Sequence, residues 1–170
     1  MKIQIIGYSG SGKSTLARKL GEKYGLPVLH LDSVQFLPNW EIRPTEEKQR
    51  IVAKFLDANG GWVVDGNYGK LSYERRMEEA DELVIMDFGR ISCLWRVVKR
   101  YRTYKNTTRP DMGEGCNEKL DWAFVKWILW EGRSKETREK RKALAKQYAD
   151  KVRIIKNQRQ LDCYYAEKGI

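Results

Sequence analysis

This chain is poor in the residues that build disulfide, zinc and membrane structures. Cys93, Cys116 and Cys163 are its only cysteines, odd in number, widely spaced and without a C-x-x-C pair. They offer neither a disulfide framework nor a zinc site, and they suit reducing cytosol as small buried apolar residues. No apolar run approaches membrane-spanning length. One lysine and a few apolar residues precede Gly7, too few for a signal-peptide core, so a cytoplasmic location is expected, with no membrane partner. No helix-turn-helix, zinc-finger or RNA-binding signature occurs, and no internal repeat or low-complexity tract. What is present is ordinary for a folded domain: 170 residues, 41% hydrophobic and 33% charged, enough for one core-bearing α/β unit. The net charge of +10 has two readings, polyanion binding or an excess of surface lysine. The basic residues cluster late, at Arg133, Lys135, Arg138, Lys140, Arg141, Lys142 and Lys146. Glu136 and Glu139 interrupt them, so a solvated helix face is favoured there over a nucleic-acid patch.

The most specific stretch is Gly7-Tyr8-Ser9-Gly10-Ser11-Gly12-Lys13-Ser14, followed by Thr15. It matches G-x-x-x-x-G-K-[ST], the phosphate-binding P-loop. Backbone N–H groups converge on phosphate oxygens only where no Cβ blocks the approach, which is the work of Gly10 and Gly12. Lys13 then reaches the β- and γ-phosphates, and the Ser14 hydroxyl ligates Mg²⁺. Gly7, Ser9, Gly10, Ser11, Gly12, Lys13, Ser14 and Thr15 are the expected ATP-binding set. An apolar run, Lys2 to Ile6, precedes the loop, and a helix is predicted over Ser14 to Tyr24 with Leu16, Ala17, Leu20 and Tyr24 on one face. The guanine motif N-K-x-D is absent, which disfavours a GTPase.

The rest of the chain alternates short apolar runs with helical patterns. Strands are expected at Leu26–Leu31, Trp62–Asp65, Leu83–Asp87 and Val152–Ile155, and a turn-rich loop at Ser33–Pro44. A helix capped by Thr45 buries Ile51, Phe55 and Leu56, and another runs from Tyr73 to Ala80. The helix at about Arg90–Tyr104 carries an apolar stripe of Ile91, Leu94, Trp95, Val98 and Tyr101, with Arg96 and Arg100 on another face. Lys105–Cys116 reads as a mobile loop, and Asn117 as the cap of an apolar helix; a basic helix and a closing helix from Gln158 complete the chain. This pattern predicts an α/β fold with a parallel five-stranded sheet flanked by helices. Residues 1–170 read as one domain with an acceptor-side insert at about 31–60 and a lid at about 101–118. Ligands of such sheets sit beyond the carboxyl ends of the strands, where the P-loop, Asp32, Asp65 and Asp87 all fall.

Several segments resemble the bacterial DNA topology modulation proteins. These are the P-loop, Trp62-Val63-Val64-Asp65-Gly66-Asn67-Tyr68, Trp95-Arg96-Val97-Val98-Lys99-Arg100, and Arg109-Pro110-Asp111-Met112-Gly113-Glu114-Gly115. That family is similar to adenylate kinases and other small P-loop kinases. The likeness covers nearly the whole chain, and the Arg109–Gly115 stretch is its most specific part. It implies a P-loop NTPase fold in which Asp65-Gly66 opens the acceptor-side loop. Arg96 and Arg100 then match a paired-arginine segment entering the lid, and Arg109 joins the nucleotide site. The adenylate kinase acceptor signature after the second strand is missing, replaced by His30-Leu31-Asp32 and a Trp/Pro loop. Asp32 there resembles the carboxylate that shikimate and gluconate kinases direct at an acceptor hydroxyl.

Alternatives stay open at several positions. Asp65 holds Mg²⁺ through water or is a strand-end turn former, and Asp87 competes for that role. Asp32 orients the acceptor or caps the following turn. His30, at a strand end, reads as structural. Phe36, Trp40 and Tyr68 stack an acceptor ring or pack in the core, with core packing favoured. The expected activity is an ATP- and Mg²⁺-dependent phosphotransferase acting on a small acceptor, a nucleotide among the candidates. Lys13, Arg96, Arg100 and Asp32 would be its catalytic residues, and the chain a monomer or weak dimer. The alternative is a nucleotide-binding regulator that binds DNA, which the family's name implies.

Overall fold

Five apolar runs become five parallel strands: β1 (Lys2–Gly7), β2 (Val28–His30), β3 (Trp62–Asp65), β4 (Glu82–Met86) and β5 (Val152–Ile155). The computed structural model describes residues 1–170. The strands form one sheet in the order β2-β3-β1-β4-β5, with every neighbouring pair parallel. Parallel pairing requires crossovers, and these are helical: α1 (Lys13–Tyr24), α2 (Leu31–Gln35), α3 (Thr45–Ala58), α4 (Tyr73–Glu79), α5 (Arg90–Tyr104), α6 (Trp122–Leu129) and α7 (Lys135–Gln147); α8 (Gln158–Lys168) follows the last strand. This is the α/β fold expected from the sequence. No helix is long and apolar enough to cross a membrane.

The sheet is covered on both faces, which is why its strands read as continuous apolar runs. Side chains still alternate within them. Ile3, Ile5, Val63, Val84 and Met86 meet Leu16, Leu20, Cys93 and Leu161 on one face. Ile6, Val64, Leu83 and Ile85 meet Val52, Leu56, Met77 and Leu144 on the other. Truncating one of these leucines to alanine costs about 2–5 kcal/mol. One polar group interrupts the second layer. The side chain of Gln4 is fully buried and accepts a 2.7 Å hydrogen bond from Arg76, which also donates to the carbonyls of Leu71 and Tyr68. Burial without a carboxylate partner pulls the Arg76 pKa down to about 10.

The register positions the site. Asp65, last in β3, pairs with His30, last in β2, and with Ile5 of β1, whose chain turns at Gly7. The carboxyl ends of three strands therefore meet where the glycine loop begins.

Local departures from the sequence reading have physical causes. β2 stops at His30 because Leu31 and Asp32 enter α2, five residues too short to show helical periodicity, and Ser33 Oγ donates back to the His30 carbonyl at 2.7 Å. The loop expected over Ser33–Pro44 thus holds α2 and a 3-10 turn at Pro38–Trp40. Pro44, not Thr45, is the cap of α3, and no side chain completes it. Tyr24 is exposed, and Gly21 takes its place on the buried face of α1, against Val28. The α5 stripe is misplaced: Ile91 and Trp95 are 77% and 65% exposed, while Cys93 and Val97 are fully buried. Those two small residues face the P-loop, where Gly10 lies against Cys93 and Val97. Asp121 rather than Asn117 caps α6, accepting from Phe124 N at 2.7 Å. Cys163 is exposed, unlike Cys93 and Cys116.

Candidate functional site

Gly10 and Gly12 hold φ of +75° and +98°, a backbone region that side chains rarely adopt, and Gly12 leads directly into α1. The first turn of α1 therefore presents unpaired N–H groups where the P-loop opens, a site suited to anions. Lys13 curls onto the Tyr8 carbonyl at 3.1 Å, and burial lowers its pKa against the opposing pull of Asp32 and Asp65. Ser11 Oγ is buried with no hydrogen-bond partner. A cleft of about 470 Å³ opens over this loop, with Lys13, Arg18, Asp32, Arg96, Arg100 and Arg109 among its walls.

Ser14 Oγ donates to Asp65 Oδ2 at 2.9 Å, and the other oxygen of Asp65 meets His30 Nδ1 at 2.5 Å. Burial disfavours the imidazolium, but the hydrogen bond and charge of Asp65 outweigh it, so the His30 pKa is raised. Asp87 lies elsewhere. It pairs with Arg141 at 3.5 Å and lines a separate basic cavity of about 570 Å³ with Tyr8, Arg90, Arg133 and Arg138. Of the two carboxylates, Asp65 is the one bonded to Ser14, and Asp87 faces the other cavity.

Arg96 lies along the loop. Its Nη1 donates to the Ser11 carbonyl at 2.8 Å, Nη2 to Gln158 Oε1 at 2.5 Å, and its plane rests on Phe88. Arg100 does not stand free beside it. Its Nε and Nη2 donate to Glu118 Oε1 at 3.0 and 2.7 Å, and burial followed by the charge of Arg109 lowers its pKa. Arg109 meets Glu118 at 3.0 Å, without hydrogen-bond alignment, and Asp111 at 3.2 Å. Asp111 comes from the 105–116 segment and reaches the Ser14 side of the cleft. Burial would raise its carboxyl, but the charge of Arg109 holds it below the ordinary range.

The segment expected as a mobile loop is anchored. Lys105 bridges Glu118, Thr108 bridges Asn117, and Met112 and Cys116 are buried. It also packs on the segment 31–60: Asn39 N donates to the Gly115 carbonyl at 3.1 Å, and Trp40 Nε1 to the Asn117 carbonyl at 3.0 Å. Asp32, in the first turn of α2, accepts a 2.6 Å hydrogen bond from the Tyr68 hydroxyl. Burial and then Asp32 push that phenol far above its ordinary pKa.

Sequence reasoning missed Asp111, Glu118 and the pair Arg133 and Arg141, whose guanidiniums each lie 3.6 Å from the Tyr8 ring. Asp111 was legible as the second residue after Arg109 in the Arg109–Gly115 stretch. The Tyr8 sandwich joins residues more than a hundred positions apart and leaves no local pattern.

The strand order, the glycine loop between β1 and α1, and the carboxylate-terminated third strand define a P-loop protein with an adenylate-kinase-like fold. Its relatives agree with that class. Adenylate kinase of Mycobacteroides abscessus is 28% identical over 109 residues, 53% of this chain and 57% of that enzyme. Adenylate kinase of Listeria innocua is 28% identical over 110 residues, 52% of this chain and 48% of that protein, so the chain spans about half the length of these curated relatives. Adenylate kinase of Mycolicibacterium smegmatis is 25% identical across 98% of this chain and 96% of that one. No family profile matches. Among solved structures, deoxyadenosine kinase from M. mycoides with bound dATP superposes with a TM-score of 0.52 at 12% identity, covering 100% of both chains. A Thermus thermophilus protein superposes with 0.53 at 17% identity, covering 98% of this chain and 97% of its own. Both share the fold.

Proposed function

We propose that this chain is an ATP-dependent phosphotransferase that moves the γ-phosphate of ATP to a small acceptor. What carries this reading is the convergence on one cleft of the glycine loop, Lys13, four arginines and Ser14, with Asp65 hydrogen-bonded behind it. Phosphoryl transfer asks the protein for position and charge more than for covalent chemistry. Gly7 to Thr15 would bind the triphosphate through backbone N–H groups, with the orphaned Ser11 hydroxyl inside the same cradle. Lys13 would exchange the Tyr8 carbonyl for a phosphate oxygen. Arg96 and Arg100 would neutralise charge on the transferring group, a contribution of about 10²–10³-fold per donor. Arg109 would hold the nucleotide from the lid.

The donor set also fits Mg²⁺, a hard cation that prefers hydroxyl and carboxylate oxygen. Ser14 would ligate it and Asp65 would hold it through water, and when bound it would supply charge neutralisation between the phosphates. Asp32 would orient or deprotonate the acceptor hydroxyl, with Tyr68 fixing one of its oxygens. In this arrangement the chain is one domain. Residues 31–60 form the acceptor side and 101–118 the lid, and the contacts between them exclude the water that competes as nucleophile. A DNA-binding role rests on the resemblance alone. The direct test is Lys13→Ala: turnover of ATP should be abolished with the fold intact, and near-wild-type turnover in a folded variant would remove the P-loop from the chemistry.

A further inference from the structure

We propose that the acceptor is an uncharged alcohol bearing a planar aromatic ring, the class that nucleosides exemplify, and not a monophosphate. This rests on the phosphotransferase reading and names its second substrate. A cavity of about 310 Å³ adjoins the phosphate cleft, sharing Ser9, Asp32, Arg100 and Arg109 with it. Its remaining walls are mostly aromatic: Phe36, Trp40, Tyr68, Phe124 and Trp127. Four of these rings come as two pairs, Phe36 edge-on to Trp40 at 5.2 Å and Phe124 stacked with Trp127 at 6.2 Å. None of the five is a closed core residue, and Trp127 is 40% exposed. A volume at the lower end of small-molecule sites, with ring faces on its walls, fits one planar ring system.

The backbone points the same way. Asn39 and Trp40 hold φ of +62° and +66° in succession, and a bulky aromatic in that region is a conformational outlier. The bonds from Asn39 N and Trp40 Nε1 to the lid residues Gly115 and Asn117 keep it there. Strain sustained by surrounding contacts is characteristic of ligand-contacting positions.

Charge then separates the alcohol from its phosphate ester. A monophosphate brings close to two negative charges and needs uncommitted cations. Arg100 and Arg109 share Glu118, Arg109 also pairs with Asp111, and both are assigned above to the phosphates of ATP, so neither is left over for a second anion. Lys119 lies over the Trp40 ring, 5.1 Å from its centroid. Asp32 and Glu118 add two carboxylates to the same cavity. A neutral ring meets no such repulsion. Tyr68 occupies Asp32 Oδ1, which leaves Oδ2 to accept from a hydroxyl. In the reaction the acceptor oxygen bonds to the γ-phosphorus and its proton passes to Asp32. The bond from that phosphorus to the β,γ-bridging oxygen breaks, and the electron pair leaves with ADP.

The test supplies ATP labelled in the γ-phosphate, with magnesium, to the full chain. The acceptors are adenosine, deoxyadenosine, guanosine, cytidine and thymidine, each beside its 5′-monophosphate, plus glycerol, glucose and shikimate. Transfer to at least one nucleoside at ten or more times the kcat/KM of its monophosphate is the expected result. Preferred transfer to monophosphates or to the ring-free alcohols would overturn the inference while sustaining the phosphotransferase. Label that reaches no acceptor would sink both. Trp40→Ala should raise the KM for the nucleoside about 10-fold or more, with kcat and the KM for ATP nearly unchanged. Trp127→Phe keeps the cavity walls for a binding readout: adenosine and thymidine should quench the remaining tryptophan fluorescence saturably, and no quenching by any of the nucleosides would count against the ring site.

Discussion

Replacing Gly10 by alanine separates two demands on one residue. Gly10 sits at φ +75°, and an added Cβ would lie 2.5 Å from the Cys93 carbonyl oxygen and 2.7 Å from Val97 Cγ2. The valine methyl can rotate away, but the carbonyl belongs to the backbone of α5, so the helix itself must move. The left-handed conformation costs about 1–2 kcal/mol and forcing a methyl into a packed contact about 1–3 kcal/mol. A loss of about 3 kcal/mol follows, or about 6–12 °C in Tm for a chain of this size. Gly25→Ala is the control. Its φ is +62°, yet nothing lies within 4 Å of the added Cβ, so only the backbone cost of about 1 kcal/mol remains. Differential scanning fluorimetry and urea unfolding of both variants measure the difference. Because α5 carries Arg96 and Arg100, Gly10→Ala should also raise the KM for ATP, which Gly25→Ala should leave alone. Equal Tm losses in the two variants would refute the claim that Gly10 is required for docking α5 against the loop.

Arg100→Ala should lower kcat by about 10²-fold or more with a smaller effect on ATP binding. Arg96→Ala should behave similarly, and the double variant should be less than additive if both meet one phosphate; unchanged kcat in both single variants would remove them from the chemistry. Asp32→Asn should reduce acceptor-dependent turnover while barely changing ATP affinity, and an equal fall in both would move Asp32 to the metal–nucleotide site. Arg76→Met should destabilise by about 3 kcal/mol in urea unfolding, because Gln4 Oε1 and the carbonyls of Leu71 and Tyr68 lose their buried donor. Adding Gln4→Leu should recover part of that, and full stability in the single variant would contradict the assigned network.

What the sequence made legible follows from where each signal is stored. A parallel strand covered on both faces is a contiguous apolar run, so Trp62–Asp65 was readable to the residue; the edge strand Val152–Ile155, half exposed, was readable from its three β-branched residues. The P-loop was readable because its glycines answer a local backbone demand. The inner face of α5 was not, because its partner is a glycine loop that accepts small residues, while the large apolar Ile91 and Trp95 stay outside. A residue pattern shows that a helix has two faces, not which face meets the protein. The pairing of Arg100 and Arg109 with Glu118 escaped for a related reason. Charges on a helix and in a loop read as solvated or ligand-directed until the chain brings a third residue between them. Asp32 was found in sequence, but its restraint by Tyr68, thirty-six positions on, belongs to the fold.

The most direct measurement follows the fate of the γ-phosphate itself. ATP labelled at that position is incubated with the wild-type chain, magnesium and a pool of candidate acceptors, and the products are separated. Label should appear covalently attached to an acceptor, with ADP formed in equal amount, and both should vanish in Lys13→Ala. Label recovered solely as inorganic phosphate, or intact ATP whose binding merely changes affinity for DNA, would contradict the phosphotransferase account.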